Sequence, residues 1–266
     1  MMQKPPLTLL TTTLWEYPSQ DYGRAPHGDK DYVGATPAWV VWQLLSRYTR
    51  QGDTILDPMA GSGTTLDVAA ELNRKPLAFD LAPTRPDIKP ADARHLPLPP
   101  ASVDFAFIDP PYSTHVHYSE DPRCIGKLDA GETHPLSLIP HPSEPRTKNS
   151  ELRTKNSELR TKNSELRTPN PYYAAMAQVI AELHRVLKNR RFLALYVSDS
   201  FKKGRPFMPI GFELFALLRR HFKPIDIIAV VRHNRTLKRN HWHTAALEGN
   251  YFLRGFNYLF IMKKED

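Results

Sequence analysis

The sequence predicts an α/β fold built on a mostly parallel sheet with helices on both faces. Short apolar runs that suit buried strands alternate along the chain with stretches whose apolar residues recur at helical spacing. Three of the predicted strands also end in an aspartate: Thr54–Asp57, Leu77–Asp80 and Phe105–Asp109. Because parallel strands finish at a common edge of the sheet, this pattern predicts an acidic edge where a ligand could bind.

The remaining elements follow from the same periodicity. Residues 1–35 are rich in Pro, Tyr, Asp and Gly, and we expect an irregular lead-in. A short buried helix is predicted over Trp39–Tyr48, with Thr36 and Pro37 as its cap and first turn. Further helices are predicted over Thr65–Leu72, Tyr172–Leu187 and Phe212–Arg220, and further strands over Phe192–Val197, Ile225–Val231 and Phe256–Met262.

The charge balance favours a polyanionic partner. The formal net charge is +8, and clustered Lys and Arg attract phosphates. Three copies of the unit Arg-Thr-Lys-Asn-Ser-Glu-Leu supply three of these charges. The remaining excess favours nucleic acid as a partner without establishing it.

Cysteine content and hydropathy exclude several classes of protein. One cysteine, Cys124, cannot form an intramolecular disulfide, and no apolar run approaches the roughly 20 residues that a membrane span requires. The N-terminus lacks the apolar core of a secretion signal, so we expect a cytoplasmic protein. His115 and His117 alternate after the third acidic strand, but no further ligands with suitable spacing follow, and we expect no metal.

We interpret residues 1–266 as a single domain interrupted by an insertion at 113–171. This segment is rich in Pro, His, Asp and Ser, and it contains the heptapeptide repeat at 146–168. Leu152, Leu159 and Leu166 recur every seven residues, but one apolar residue per heptad is too few for a coiled coil. We therefore expect the repeat to be a solvated segment without fixed structure.

A glycine loop lies between the first acidic strand and the following helix. Asp57-Pro58-Met59-Ala60-Gly61-Ser62-Gly63-Thr64-Thr65 allows the backbone to bend sharply and approach a ligand. Asp80 lies 19 residues beyond Gly61, which is the usual place for an acid that binds ribose hydroxyls. The pattern favours a nucleoside site, although a dinucleotide site or a plain tight turn remains open at this point.

The tetrapeptide Asp109-Pro110-Pro111-Tyr112 follows the third acidic strand. An exocyclic amine on a base is a poor nucleophile because its lone pair is delocalised into the ring. A carboxylate from Asp109 and a carbonyl from Pro110 could accept its two N–H bonds and localise the lone pair. Tyr112 offers a flat face on which a base could stack, a contact worth roughly 1–3 kcal/mol. The motif thus indicates methylation of an amine on a base rather than a surface turn.

Together the two motifs resemble the DNA amino-methyltransferases that act on N6 of adenine or N4 of cytosine. The resemblance covers nearly the whole chain outside the repeat, including Ala91–Arg94 and Gly255–Phe260. It implies a Rossmann-like class I methyltransferase fold, with a mostly parallel seven-stranded sheet and an antiparallel last strand. The helix-to-strand turn departs from the family's Pro-Gly-Gly, since here it is Lys188–Arg191.

The resemblance also assigns roles to individual residues. It implies that Asp109, Pro110, Pro111 and Tyr112 form the catalytic pocket, and that S-adenosylmethionine is the cofactor. Asp57 and the glycine loop would hold its methionine part, Asp80 its ribose and Asp92 its adenine. The full set of implied cofactor-binding residues is Thr36, Asp57, Pro58, Ala60, Gly61, Ser62, Gly63, Thr64, Thr65, Asp80 and Asp92.

The expected activity is methylation of double-stranded DNA, with adenine N6 favoured over cytosine N4. No separate target-recognition domain is evident, so we expect recognition to come from Ser113–Leu128 and from the basic, aromatic segment Arg232–Arg254. In the latter, the candidate DNA-binding residues are Arg232, His233, Arg235, Lys238, Arg239 and Trp242. An RNA amine methyltransferase and an inactive DNA-binding protein of the same fold remain alternatives.

Overall fold

Eight strands form one sheet in a computed structural model of the protein, which describes residues 5–131, 170–200, 207–233 and 240–266. The strands are β1 Leu14–Trp15, β2 Thr54–Asp57, β3 Lys75–Asp80, β4 Lys89–Pro90, β5 Val103–Ile108, β6 Leu187–Val197, β7 Lys223–Val231 and β8 Phe256–Lys263. Their order across the sheet is β1-β7-β8-β6-β5-β2-β3-β4. Every neighbouring pair is parallel except those that involve β8, which runs antiparallel to both β6 and β7.

Helices cover both faces of this sheet. They are α1 Ala38–Tyr48, α2 Thr64–Glu71, α3 Pro171–Val186, α4 Ile210–Leu218 and α5 Asn240–Glu248. On one face, α1 and α2 bury apolar side chains against β5, β6 and β8. On the other face, α3 and α4 pack against the opposite sides of the same strands. The central strand β5 is buried at every position, as a parallel strand between two helical layers must be.

This arrangement confirms the predicted α/β class, with a mostly parallel sheet and an antiparallel last strand. It has the strand order of class I methyltransferases with one additional edge strand, so that eight strands replace the expected seven. The extra strand is β1, where Leu14 and Trp15 pair with Ala229 and Val230 of β7. The expectation of a wholly irregular lead-in was wrong, because two residues between turns are too short a signal for periodicity.

Two predicted boundaries change for identifiable reasons. Thr36 does not cap α1: Pro37 occupies the cap position, and the Thr36 hydroxyl bonds instead to Asp109. The expected turn at Lys188–Arg191 is part of β6, which begins directly after α3. There Arg190 adopts a left-handed φ of 63°, and its N–H donates to the carbonyl of Lys264.

The start of α3 shows how local sequence fixes an element near the predicted insertion. The Asn170 side chain accepts hydrogen bonds from the backbone N–H groups of Tyr172 and Tyr173, and Pro171 occupies the first helical position. Two short 3-10 helices, Ser113–His115 and Ile125–Lys127, lie in the described part of the insertion. The heptapeptide repeat lies outside the described residues.

Candidate active site

The three strand-ending aspartates meet at one edge of the sheet. Asp57 ends β2, Asp80 ends β3 and Asp109 follows β5, and these strands are parallel neighbours. The charges of Asp80 and Asp109 both raise the pKa of Asp57, so the three carboxyl groups share one electrostatic environment. The carboxyl edge of the sheet therefore carries the acidic cluster that the sequence predicted.

The glycine loop folds tightly between β2 and α2. Gly61 and Gly63 have φ values of 46° and 81°, in the left-handed region that glycine tolerates best. The Gly61 N–H donates to Asp80 Oδ2 at 3.0 Å, so the loop and the acid of β3 hold each other in place. A Cβ atom at Gly61 would lie 2.8 Å from the ring of Tyr32, which packs directly on the loop.

Asp57 lies beneath this loop and is only 4% exposed. Burial raises the pKa of its carboxyl to about 7, although the Thr65 hydroxyl and the Met59 N–H both stabilise the ionised form. Ser62, Thr64 and Thr65 are equally buried, and the hydroxyls of Ser62 and Thr64 lie 2.9 Å apart. These side chains stabilise the loop from inside.

Asp109 accepts a hydrogen bond on each carboxylate oxygen. The Thr36 hydroxyl donates to Oδ2 at 2.6 Å, and the Tyr112 hydroxyl donates to Oδ1 at 2.7 Å. Burial raises the pKa of Asp109 to about 7, while these two bonds and the positive charge of Arg232 act in the opposite direction. Each carboxylate oxygen has a further lone pair, so the group can still accept a bond from a ligand.

The rest of the tetrapeptide is fixed by residues far away in the sequence. Asn257 of β8 donates through Nδ2 to the Tyr112 hydroxyl at 3.2 Å, which extends the chain of bonds that ends at Asp109. The Tyr172 hydroxyl at the start of α3 donates to the Pro111 carbonyl at 2.8 Å. Through these two hydrogen bonds, residues from the C-terminal half of the chain fix the conformation of the tetrapeptide.

Two adjoining cavities open on this edge. The larger has a volume of about 470 Å³, within the usual range for sites that hold small molecules, and the smaller has about 80 Å³. Tyr32, Met59, Asp109 and Tyr118 line both cavities and so form their common wall. Asp109 therefore faces two spaces at once.

The predicted cofactor residues divide between these cavities. Asp80, Asp92 and Pro58 line the smaller cavity, and Thr36, Ala60, Gly61 and Ser62 line the larger one. Asp57, Gly63, Thr64 and Thr65 are not part of either wall. Asp92 forms an ion pair with Arg94, whose Nη2 lies 2.6 Å from Asp92 Oδ2. The pKa of Asp92 is lowered, because the bonds from Arg94 outweigh the opposing effect of burial.

The predicted DNA-binding residues are spread more widely. Arg232 lines the larger cavity with Asp109, while the His233 ring lies 3.1 Å from the Glu16 carboxylate. Trp242 is 42% exposed on α5. Arg235, Lys238 and Arg239 lie outside the described residues.

Several cavity residues were not named individually as site residues by the sequence analysis. Tyr118, Cys124 and Arg254 lie within the two segments predicted for recognition, whereas Tyr32 and Ser198 lie outside them. Ser198 had a usable signal, because it directly follows β6 and must lie at the same edge as Asp109. Tyr32 had none, since no periodic pattern precedes or follows it.

The fold and the paired cavities place the protein among class I methyltransferase folds. A model of a DNA methylase family matches residues 5–88, the part of the chain that contains Tyr32, Asp57, the glycine loop and Asp80. The match confirms the family resemblance over that segment. No curated protein matched the chain.

Solved structures with similar folds have low sequence identity to this chain. TrmN from Thermus thermophilus is 16% identical with a TM-score of 0.47, covering 87% of this chain and 50% of its own. A candidate DNA modification methylase from the same organism is 15% identical with a TM-score of 0.36, covering 66% of this chain and 51% of its own. A SAM-dependent methyltransferase from Methanosarcina mazei is 13% identical with a TM-score of 0.45, covering 84% and 97%. The chain spans about half the length of the first two.

None of the helices within the described ranges has the length and apolar character to cross a bilayer.

Proposed function

We propose that this protein transfers a methyl group from S-adenosylmethionine to an exocyclic amino group of a DNA base, with adenine N6 favoured over cytosine N4. The observation that supports this most directly is the position of Asp109. Its carboxylate lines both the larger cavity and the smaller one, so that it faces two adjoining ligand sites. An amine and a methyl donor held in these adjoining spaces would then meet beside one hydrogen-bond acceptor.

The residues around the two cavities fit the cofactor, since the glycine loop lines the larger cavity and Asp80 and Asp92 line the smaller one. Asp80 offers a carboxylate to ribose hydroxyls while its own position is fixed by the Gly61 N–H. Asp92 lies in the same wall and can accept from an adenine amino group. A sulfonium is a cation, and the cluster of Asp57, Asp80 and Asp109 provides a favourable electrostatic field for it.

When bound, S-adenosylmethionine would supply an electrophilic methyl group on a sulfonium sulfur. The chain's own part is to hold the acceptor. Asp109 accepts one N–H of the amine and the Pro110 carbonyl accepts the other, which localises the nitrogen lone pair. The nitrogen would then be the nucleophile toward that methyl group, and Asp109 is placed to accept the proton that the nitrogen loses. Positioning and electrostatics supply most of the rate enhancement.

A duplex substrate requires the target base to leave the stack, at a cost of a few kcal/mol. The larger cavity has room for a base, and Tyr112 lines it. Arg232 and Arg254 in the same wall bring positive charge to the entrance, where the phosphates flanking a flipped nucleotide would lie.

The test combines isotope transfer with a variant of Asp109. Purified protein is incubated with labelled S-adenosylmethionine and either unmethylated duplex DNA or RNA, and the digested nucleosides are identified by mass spectrometry. We expect label in N6-methyladenine or N4-methylcytosine from DNA. Label in RNA alone would support the RNA alternative, and no transfer to either would contradict the proposal.

Asp109→Ala should still bind S-adenosylmethionine in calorimetry, with an affinity lowered only by the loss of one carboxylate from the acidic cluster, but it should transfer methyl at least about 100-fold more slowly, because it removes a preorganised acceptor at the reacting nitrogen. Asp226→Ala is the matched control, since Asp226 is an exposed carboxylate that lines neither cavity. Turnover that survives in Asp109→Ala would refute the assigned role.

A further inference from the structure

Within the part of the chain that the structure describes, two buried polar atoms in the wall of the larger cavity have no hydrogen-bond partner. They are the hydroxyl oxygen of Ser198 and Nε of Arg254, and both residues line the cavity. Ser198 is only 2% exposed. Buried polar groups are almost always hydrogen-bonded in native proteins, because leaving one unsatisfied costs stability. Such atoms in a cavity wall are available to a polar group that enters the cavity.

Arg254 cannot easily turn to satisfy its own Nε. Its Nη2 donates to the Phe252 carbonyl at 2.8 Å, and its guanidinium lies 5.1 Å from the centre of the Phe207 ring. These contacts fix the plane of the group from two sides. Nε of Arg254 is therefore an unsatisfied donor on a side chain whose position is fixed.

Ser198 and Asp109 line the same cavity at the carboxyl edge of the sheet. Asp109 follows β5 by one residue and Ser198 follows β6 by one residue, and these strands are parallel neighbours. Ile108 is opposite Leu195, so Ser198 lies two residues farther along its strand than the position opposite Asp109. Phe107 and Tyr196 pack in the same core layer, and alternation along each strand puts Asp109 and Ser198 on that same face. An amine bound at Asp109 would therefore share the cavity with the Ser198 hydroxyl.

We propose that Ser198 positions the target base by donating its hydroxyl hydrogen to the ring nitrogen next to the methylated amine. This inference rests on the proposed function, since it concerns the same pocket. Adenine N1 and cytosine N3 are both acceptors adjacent to the exocyclic amine, so either base would satisfy Ser198 and Asp109 together. Thymine presents a carbonyl in place of the amine, and this carbonyl cannot donate to the Asp109 carboxylate.

The pairing also fixes the orientation of the base. One hydrogen bond to the amine leaves the ring free to pivot about that contact, whereas a second bond to the neighbouring ring nitrogen sets the in-plane angle. Small errors in this angle move the amine lone pair away from the methyl carbon and slow transfer. Ser198 is accordingly a positioning residue, not a group that exchanges protons.

The test is a double-mutant cycle that combines a change of Ser198 with a change of the ring nitrogen in the target base. The sequence methylated by the wild-type protein is first mapped, and duplexes are made with the target base intact or replaced by 1-deazaadenine or 3-deazacytosine, which keep the amine but lose the ring acceptor. We expect the wild-type kcat/KM to fall about tenfold or more on the deaza duplex. Ser198→Ala should lose about as much on the natural duplex, and lose nothing further on the deaza duplex.

Two further variants separate this role from a structural one. Ser198→Thr keeps the hydroxyl and should restore discrimination between the two duplexes. Ser102→Ala removes a hydroxyl that donates to the Pro99 carbonyl away from the cavities, and it should leave both rates unchanged. Thermal unfolding of each variant checks that the fold is intact.

The outcomes distinguish this inference from the proposed function. If wild-type protein methylates DNA and Ser198→Ala still discriminates as strongly as wild type, the role of Ser198 is overturned while the activity stands. If wild-type protein methylates no DNA, the proposed function fails and this inference fails with it.

Discussion

The charge of Asp109 near neutral pH depends on the groups that surround its carboxyl. Burial raises the pKa of its carboxyl to about 7, and hydrogen bonds from Thr36 and Tyr112 keep the pKa from rising further. Only the ionised form can accept both its present partners and an amine. The carboxylate is therefore available to a substrate mainly above a pH of about 7.

A pH profile of kcat/KM tests this property. We expect the rate of the wild-type protein to fall as the pH decreases through about 7, because the carboxyl of the free protein becomes protonated. Tyr112→Phe keeps the ring but removes a hydrogen bond to the ionised form, so the pKa of Asp109 should rise and the acid limb should move to higher pH. A limb that stays in place would show that Tyr112 does not tune Asp109.

At this scale the sequence predicted where Asp109 lies but not how the side chains of the tetrapeptide contact one another. The position of Asp109 followed from strand ends, which obey a general rule of parallel sheets. The bond from Tyr112 to Asp109 depends on a side-chain rotamer. The support from Asn257 depends on β8 entering the sheet beside β6, a pairing that brings Asn257 to a residue 145 positions away.

Among the elements, α1 and α2 are joined at their C-termini by one side chain. Arg74 follows α2, and its guanidinium donates to the carbonyls of Leu45, Thr49 and Leu72. Its Nε also donates to the Thr49 hydroxyl at 3.0 Å. A cation in this position satisfies carbonyls that helices leave unpaired and complements their dipoles.

We predict that Arg74→Ala lowers the free energy of unfolding by about 2 kcal/mol, because it leaves these carbonyls without their charged donor. Urea denaturation provides the measurement. Lys75→Ala is a suitable control, since Lys75 is an adjacent cation that is exposed at the start of β3. Equal losses in the two variants would argue against the role of Arg74.

Element prediction succeeded where burial and periodicity agree. The long amphipathic α3 and the fully buried β5 were predicted to within two residues at either end. Helix α5 was missed, because Asn240–Glu248 lies in a basic segment without a clear apolar face. Thr36 was misassigned as a cap because its tertiary partner, Asp109, is 73 residues away.

For the whole molecule, the N-terminal segment is part of the fold rather than an appendage. Trp15 of β1 is 1% exposed and packs with Tyr17 and Trp39 in the core beneath α1. Further along, Tyr32 packs on the glycine loop and lines both cavities. Sequence reasoning could not place this segment, since its contacts are long-range and its elements are very short or irregular.

We expect Trp15→Ala to destabilise the protein by about 3–5 kcal/mol, because it removes a large buried ring and leaves a cavity. Trp242→Ala is matched in chemistry but not in burial, since Trp242 is 42% exposed, and it should change the melting temperature little. Thermal unfolding of both variants makes the comparison. A small effect of Trp15→Ala on the melting temperature would show that the packing of β1 contributes little to stability.

The carboxyl groups at the acidic edge should release and take up protons when a charged ligand binds and leaves. Asp57 and Asp109 each have a pKa of about 7, so near neutrality both are partly protonated in the empty protein. A cation that settles among them lowers both pKa values and expels protons to the solvent, whereas an uncharged thioether does not. If the protein has the proposed function, protons should leave when a sulfonium binds and return once its charge is lost, so that each turnover would change how strongly this edge holds its ligand.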